Sequence, residues 1–203
     1  MLKVNKTVEP SFFTAFKKKN KPANWKDYEK YHEIKGKLKL HMLGEEQNNY
    51  CPYCERNIPS KEDGHIEHVR PRAKYPQEFQ NYENLIVSCD ANETCGKYKS
   101  NHFFDDFINP VEKDPKKFLT FDIYSGEIIP LQGKGESNYQ NAARTIEILN
   151  LNGKSLLNQR VFFIEMLANM KQDYDENEFC ENLRSFIENG QNFKTITELY
   201  LEN

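Results

Sequence analysis

Four cysteines arranged in two pairs constrain this chain more than any other feature. The pairs are Cys51-x2-Cys54 and Cys89-x5-Cys95, with 34 residues between them. Closely spaced cysteines that recur in two pairs are the usual ligand pattern of a tetrahedral zinc site. Because sulfur would take all four positions on the ion, we expect the zinc to be structural and to fix the surrounding loop and its neighbours.

Two other interpretations of the cysteines stay open at this point. The four thiols could be free in a reduced protein, or they could form disulfides, in which case reduction would unfold the module and chelators would not. The fifth cysteine, Cys180, is predicted to be a small buried residue on a helix.

The segment from Met1 to Glu9 does not resemble a secretory signal, and no apolar run approaches the roughly 20 residues that span a bilayer. We therefore expect a cytoplasmic protein that has no membrane partner and binds metal rather than forming disulfides.

Charge is distributed unevenly along the 203 residues. Residues 1–43 hold eleven lysines and four acidic residues, whereas residues 138–203 hold six basic and ten acidic residues. An aromatic content of 13% favours a packed core over disorder. The basic N-terminal segment can therefore face phosphate, although lysine runs are often no more than a solvated surface.

Hydrophobic periodicity predicts helices before the cysteine-rich stretch. Three phenylalanines at helical spacing predict a helix from Ser11 to Lys19. A second helix is predicted from Trp25 to Leu43, interrupted or kinked near Gly36. We interpret its aromatic stripe as core rather than as a base-stacking platform, and the lysines of its other face as candidates for nucleic-acid contact.

After the cysteine-rich stretch, the pattern predicts a hairpin and then helices. Alternating apolar residues around Ser125-Gly126 predict strands from Leu119 to Ile123 and from Glu127 to Ile129. The two glycines between Gln132 and Ser137 favour a linker. Four helices are predicted beyond it: about Asn138 to Leu149, about Lys154 to Gln172, about Asp175 to Glu188, and about Phe193 to Leu201.

Between the cysteine pairs, a short predicted strand from Gly64 to Val69 carries residues suited to phosphodiester hydrolysis. Side chains alternate along a strand, so His65 and Glu67 share one face and His68 lies on the other. An imidazole beside a carboxylate can supply a general base and a ligand for a divalent ion. The basic residues that follow suit a partner rich in phosphate. They are Arg70, Arg72 and Lys74.

The complete pattern resembles the HNH endonuclease motif. It reads Cys-x2-Cys, Glu-His-x2-Pro, Asn-Leu-x3-Cys and Cys-x3-Lys within residues 51–104. Outside this quarter of the chain, the phrase from Arg144 to Asn152 is similar to the PtuB family, the HNH nucleases of Septu and related retron anti-phage systems. Shorter phrases are also similar: Tyr75-Pro76, Ile108-Asn109-Pro110 and Ser125-Gly126-Glu127-Ile128.

This resemblance implies a role for several residues. His68 would be the general base, and Glu67 would bind a catalytic Mg²⁺ or Mn²⁺ ion. Asn84 would orient the loop that holds His68 through backbone hydrogen bonds, and Lys99 would lie on a helix near phosphate.

The chain departs from the HNH pattern at Gly96, where HNH proteins place an Asn or His that completes the metal site. We favour Asn92 as the substitute, because it would share the face of Gly96 if the helix began early enough. His102 and then Asn101, further along the same predicted helix, are the alternatives. His65 could be an outer partner of the site or merely a strand residue.

The expected architecture is α+β, with a zinc-stapled ββα-metal core between helical extensions. Its predicted segments are residues 1–49 (basic, helical), 50–110 (HNH core), 111–137 (hairpin and linker) and 138–203 (acidic, helical). The resemblance implies an anti-phage effector that cleaves DNA or tRNA together with a PtuA-type ATPase, or with a retron reverse transcriptase and its nucleic acid. The competing hypothesis is an inactive zinc-bound subunit that binds nucleic acid or acts as an adaptor.

Overall fold

The N-terminal part of the chain forms a helical layer. The computed structural model describes residues 1–133 and 135–202; Lys134, in the predicted linker, and Asn203 lie outside the described residues. Helix α1 spans Ser11–Asn20, as predicted, and ends where Lys21 adopts a left-handed conformation with φ of 43°.

The predicted helix from Trp25 to Leu43 is divided into three pieces. They are a 3₁₀ helix at Trp25–Lys30, helix α2 at His32–His41 and a π-helical turn at Met42–Glu46. The break lies at Tyr31 and not near Gly36, which is buried inside α2. The tight 3₁₀ winding aligns residues three apart, so Trp25 and Tyr28 stack with ring centroids 4.7 Å apart and are both buried.

The middle of the chain contains a two-stranded antiparallel sheet followed by a short helix. Strand β1 spans Gly64–His68 and strand β2 spans Leu85–Cys89, with Gly64 paired to Cys89 and His68 to Leu85. Every residue of β2 is buried. Helix α3, Cys95–Lys99, packs against β2.

A second antiparallel hairpin follows, as the alternating pattern predicts. Strand β3 (Leu119–Phe121) is two residues shorter than expected, and β4 (Ile128–Pro130) has the expected length but begins one residue later. Gly126 lies in the connecting turn with φ of +73°, a left-handed conformation that glycine adopts without steric cost.

Four helices complete the described chain, and they confirm the four predicted ones within a few residues. Their bounds are Glu136–Ile148 (α4), Lys154–Asp173 (α5), Glu176–Glu188 (α6) and Lys194–Leu201 (α7). Buried apolar residues from both ends and the middle of the chain join in one core cluster. The protein is thus a mixture of helices and two small sheets. None of the helices described here is both long enough and apolar enough to cross a membrane.

Candidate metal centre and active site

The four predicted cysteine ligands converge on one buried point. Cys51 and Cys54 flank a tight turn, Cys89 ends β2 and Cys95 begins α3. Their sulfur atoms lie within 4.8 Å of one another; those of Cys54 and Cys89 are 3.7 Å apart and those of Cys51 and Cys95 are 3.8 Å apart. Sulfurs at the corners of a tetrahedral zinc site stand about 3.8 Å apart, given a Zn–S bond of about 2.3 Å. The cluster therefore fits a metal ion such as zinc.

Arg56 adds a positive charge beside this cluster. Its Nε and Nη2 atoms lie 3.4 Å from the sulfurs of Cys54 and Cys89. Four thiolates around a divalent ion carry a net charge of about −2, so a neighbouring guanidinium stabilises the bound form. Sequence reasoning missed this residue, although a basic residue two positions after Cys54 was a usable signal.

Glu67 lies on β1 between two basic groups. The Nζ atom of Lys99 is 2.8 Å from Glu67 Oε1, and the Nε2 atom of His65 is 3.7 Å from Glu67 Oε2. Burial alone would raise the pKa of Glu67, but His65 and Lys99 outweigh it, so the pKa lies below its ordinary value. Glu67 is therefore a carboxylate near neutral pH.

His68, at the end of β1, is buried and oriented. Its Nε2 atom lies 2.9 Å from the carbonyl oxygen of Phe79, and its ring meets Trp25 edge to face at 4.6 Å. A carbonyl only accepts hydrogen bonds, so Nε2 carries the proton and Nδ1 holds the free lone pair. Burial lowers the pKa of His68 to about 4, and the imidazole is neutral near pH 7.

Asn84 joins the two strands beside His68. Its Oδ1 accepts from the backbone N–H of Arg70 at 2.7 Å, and its Nδ2 donates to the carbonyl of Arg70 at 3.0 Å. Its own carbonyl accepts from Val69 N at 3.0 Å. These are backbone hydrogen bonds of the kind expected of Asn84, and they fix the chain that leaves β1 directly after His68.

Gly96, in α3, lies directly beside the side chains of Glu67 and His65. A Cβ atom at this position would stand 2.8 Å from Cδ and Oε2 of Glu67 and 2.9 Å from Nε2 of His65. Such contacts are too short for a real Cβ, so a side chain at position 96 would force Glu67 and His65 to move. The space that a side chain at position 96 would enter is thus occupied by His65 and Glu67.

The candidate substitutes for the missing side chain lie outside α3. The helix begins at Cys95, so Asn92 precedes it in an exposed turn and lines a groove with Arg56 and Thr94. The helix ends at Lys99, so Asn101 and His102 follow it, also exposed. Asn92 therefore does not share a helical face with Gly96, and Asn101 and His102 do not lie on the same helix.

The four basic residues expected to face phosphate divide into three groups. Arg72 and Lys74 are exposed, and Arg72 lies over the ring of Trp25. Arg70 is paired with two glutamates, 3.4 Å from Glu78 and 2.8 Å from Glu112. Lys99 is completely buried, where it also donates to the carbonyl of His68 at 3.3 Å, so it holds β1 rather than facing the surface.

These observations define a mixed α and β protein whose small sheet carries adjacent carboxylate and imidazole groups beside a four-cysteine cluster that fits a metal ion. Comparison with known proteins makes this class more specific. The chain is 26% identical over 202 residues to an Escherichia coli protein named as the candidate HNH endonuclease of retron Ec83, covering 79% of this chain and 78% of the relative. It is 27% identical over 159 residues to the Septu protein PtuB of Bacillus thuringiensis, covering 77% of this chain.

The chain spans about half the length of this second relative, 52%. No family model matches the chain. The two similarities nevertheless confirm the predicted resemblance to the HNH nucleases of retron and Septu systems.

Proposed function

We propose that this protein is a metal-dependent HNH endonuclease that hydrolyses phosphodiester bonds of DNA or tRNA as the effector of an anti-phage complex. The observation that carries this proposal is His68, a neutral imidazole that is fixed through Nε2 and has a free lone pair on Nδ1. It lies next to an anionic Glu67 on the same strand. A general base must be unprotonated at the working pH and held in place, and His68 meets both requirements.

Each residue of the site then has a defined task. His68 accepts the proton of the water that attacks phosphorus, and Asn84 keeps the loop after His68 in position. Lys99 neutralises and orients Glu67, which is otherwise costly to bury. Arg72 and Lys74 contact the phosphate backbone next to the reacting group.

Two metal ions accompany these residues in the proposal. Zinc in the four-cysteine centre is structural, since its ligand positions are filled by sulfur. A divalent Mg²⁺ or Mn²⁺ ion at Glu67 supplies electrostatic stabilisation of the charge that develops on phosphate.

The similarity to PtuB supports a proposal about partners. A PtuA-type ATPase gates the nuclease, and the acidic C-terminal helices form its docking surface. A retron reverse transcriptase with its nucleic acid is the alternative partner, supported by the similarity to the retron protein.

The function is tested by incubating the wild type and His68→Ala with plasmid DNA and with total tRNA. Reactions contain Mg²⁺ or Mn²⁺ and are run with and without the ATPase partner. We expect cleavage by the wild type and a loss of about 100-fold or more in His68→Ala, the usual contribution of a general base. His32→Ala, which removes an exposed histidine at the start of α2, is the matched control and should cleave normally.

Two results would contradict the proposal. Equal cleavage by the wild type and His68→Ala would exclude His68 as the base. If the wild type cuts neither substrate under any condition while its zinc remains bound, the inactive zinc-bound subunit becomes the better description.

A further inference from the structure

His65 fills the place that a side chain on α3 would otherwise take. A Cβ on Gly96 would approach the Nε2 atom of His65 to 2.9 Å, and Glu67 Oε2 to 2.8 Å. His65 and Glu67 are on the same face of β1, two residues apart. An imidazole from the strand therefore reaches the point that a residue at position 96 would reach from the helix.

The orientation of His65 is fixed by Asp90. The Nδ1 atom of His65 lies 3.0 Å from Oδ1 of Asp90, and Lys97 Nζ lies 3.1 Å from the same oxygen. When Nδ1–H donates to this carboxylate, Nε2 is the ring nitrogen available to a metal ion, and it faces Glu67. A carboxylate behind a histidine in this way is the common arrangement for metal-ligating histidines.

The two candidate donor atoms lie slightly further apart than two ligands of one ion. Lys99 holds Oε1 of Glu67, so Oε2 is the oxygen that faces His65, at 3.7 Å from its Nε2. Two ligands of one ion with bonds of about 2.1 Å stand roughly 3.0 to 3.4 Å apart, so a movement of a few tenths of an ångström closes the site. The side chain of His65 is 27% exposed, which leaves the pair accessible from solvent.

We propose that His65 Nε2 and Glu67 Oε2 together bind the divalent ion, with His65 replacing the side chain that Gly96 lacks and Asp90 acting as its positioning residue. An imidazole ligand favours transition ions over Mg²⁺, so the ion is of the Mn²⁺ type. The use of this ion in catalysis rests on the proposed function; its binding does not.

The test measures Mn²⁺ binding to the zinc-loaded full chain without nucleic acid, by isothermal titration calorimetry and by the electron paramagnetic resonance signal of free Mn²⁺. We expect one Mn²⁺ per wild-type chain beyond the zinc, and weaker binding of Mg²⁺. His65→Ala should weaken Mn²⁺ binding about 100-fold or more, and Asp90→Ala about tenfold, as loss of an outer partner does. His102→Ala is the matched control, because it removes an exposed histidine that sequence reasoning proposed as a ligand.

Zinc content and thermal unfolding of each variant establish that it is folded. The inference is overturned if the wild type binds no Mn²⁺, if His65→Ala binds it as tightly as the wild type, or if His102→Ala weakens it equally. Mn²⁺ binding through His65 without any cleavage would contradict the proposed function alone. Cleavage by the wild type with unchanged Mn²⁺ binding in His65→Ala would contradict this inference alone.

Discussion

At position 96 we expect glycine to be more stabilising than alanine, the reverse of their usual order in a helix. Alanine normally stabilises a helix by about 0.5–1 kcal/mol relative to glycine, because it restricts the unfolded chain. At Gly96 the added methyl group would collide with Glu67 and His65, both of which are held by other partners. The same atom that favours helix formation would therefore disturb the proposed active site.

We expect Gly96→Ala to lower the free energy of unfolding by about 1–3 kcal/mol, the usual cost of overpacking. It should also displace Glu67 and so reduce both Mn²⁺ binding and cleavage. Thermal unfolding and calorimetry measure the two effects separately. Gly44→Ala is the matched control, since a Cβ on this exposed glycine of the π-helical turn meets nothing within 4 Å. A Gly96→Ala protein that is as stable and as active as the wild type would show that the close packing has no consequence.

At the scale of elements, the four-cysteine centre joins pieces that are too short to be stable alone. Strands β1 and β2 have five residues each, and α3 also has five. A two-stranded hairpin or a single helical turn is marginal in water. A zinc ion bound to Cys51, Cys54, Cys89 and Cys95 would link the first turn, the end of β2 and the start of α3 at one point.

We expect Cys51→Ala to lose zinc and to lower the melting temperature by roughly 10 °C or more, because several kcal/mol of binding energy is lost from the folded state. Cys180→Ala is the matched control. Cys180 is half-buried on α6, outside the cluster, and its replacement should keep the zinc and change the melting temperature by only a few degrees. Zinc analysis with thermal unfolding decides the matter; zinc retained by Cys51→Ala would contradict the four-sulfur site.

At the scale of the whole molecule, the C-terminal part of the chain forms hydrogen bonds with the residues that directly follow the turn between Cys51 and Cys54. The backbone N–H of Phe193 donates to the carbonyl of Glu55 at 2.8 Å, and Thr195 Oγ1 donates to its carboxylate at 3.0 Å. Asn57 N donates to Asn192 Oδ1 at 2.7 Å. Deleting residues 175–203 to test partner docking would therefore remove support from the metal centre as well.

Surface substitutions on α6 give a cleaner test of docking. Glu176, Glu178 and Glu181 are exposed, whereas Asp175 caps the helix and is kept. We expect the triple Glu→Gln variant at these three positions to bind the PtuA-type ATPase at least about tenfold more weakly, because it loses three charges from the proposed interface. Binding is measured by biolayer interferometry with zinc content as the check on folding.

The control for this test carries the same change elsewhere. Glu29, Glu33 and Glu45 are exposed acidic residues of the N-terminal layer, and their replacement by Gln removes equal charge from a different surface. Equal weakening in both triple variants would mean that overall charge, and not α6, governs binding.

The local pattern of apolar and turn residues in the sequence was sufficient to predict much of the fold. Helix α1, the hairpin of β3 and β4, and helices α4 to α7 follow from periodicity and turn residues. The cysteine ligands follow from spacing alone, because two close pairs of thiols suit one tetrahedral ion. The division of the second predicted helix at Tyr31 did not follow, since it depends on how Trp25 and Tyr28 enter the core.

The sequence by itself determined the four-cysteine centre, the alternation that places Glu67 and His68 on opposite faces of one strand, and most helices. Only the tertiary structure decided that Lys99 is buried against Glu67 and that His65 occupies the space beside Gly96. The physical reason is that spacing and periodicity act between near neighbours in the chain. These contacts, in contrast, join β1 to a helix about 30 residues away and are set by packing.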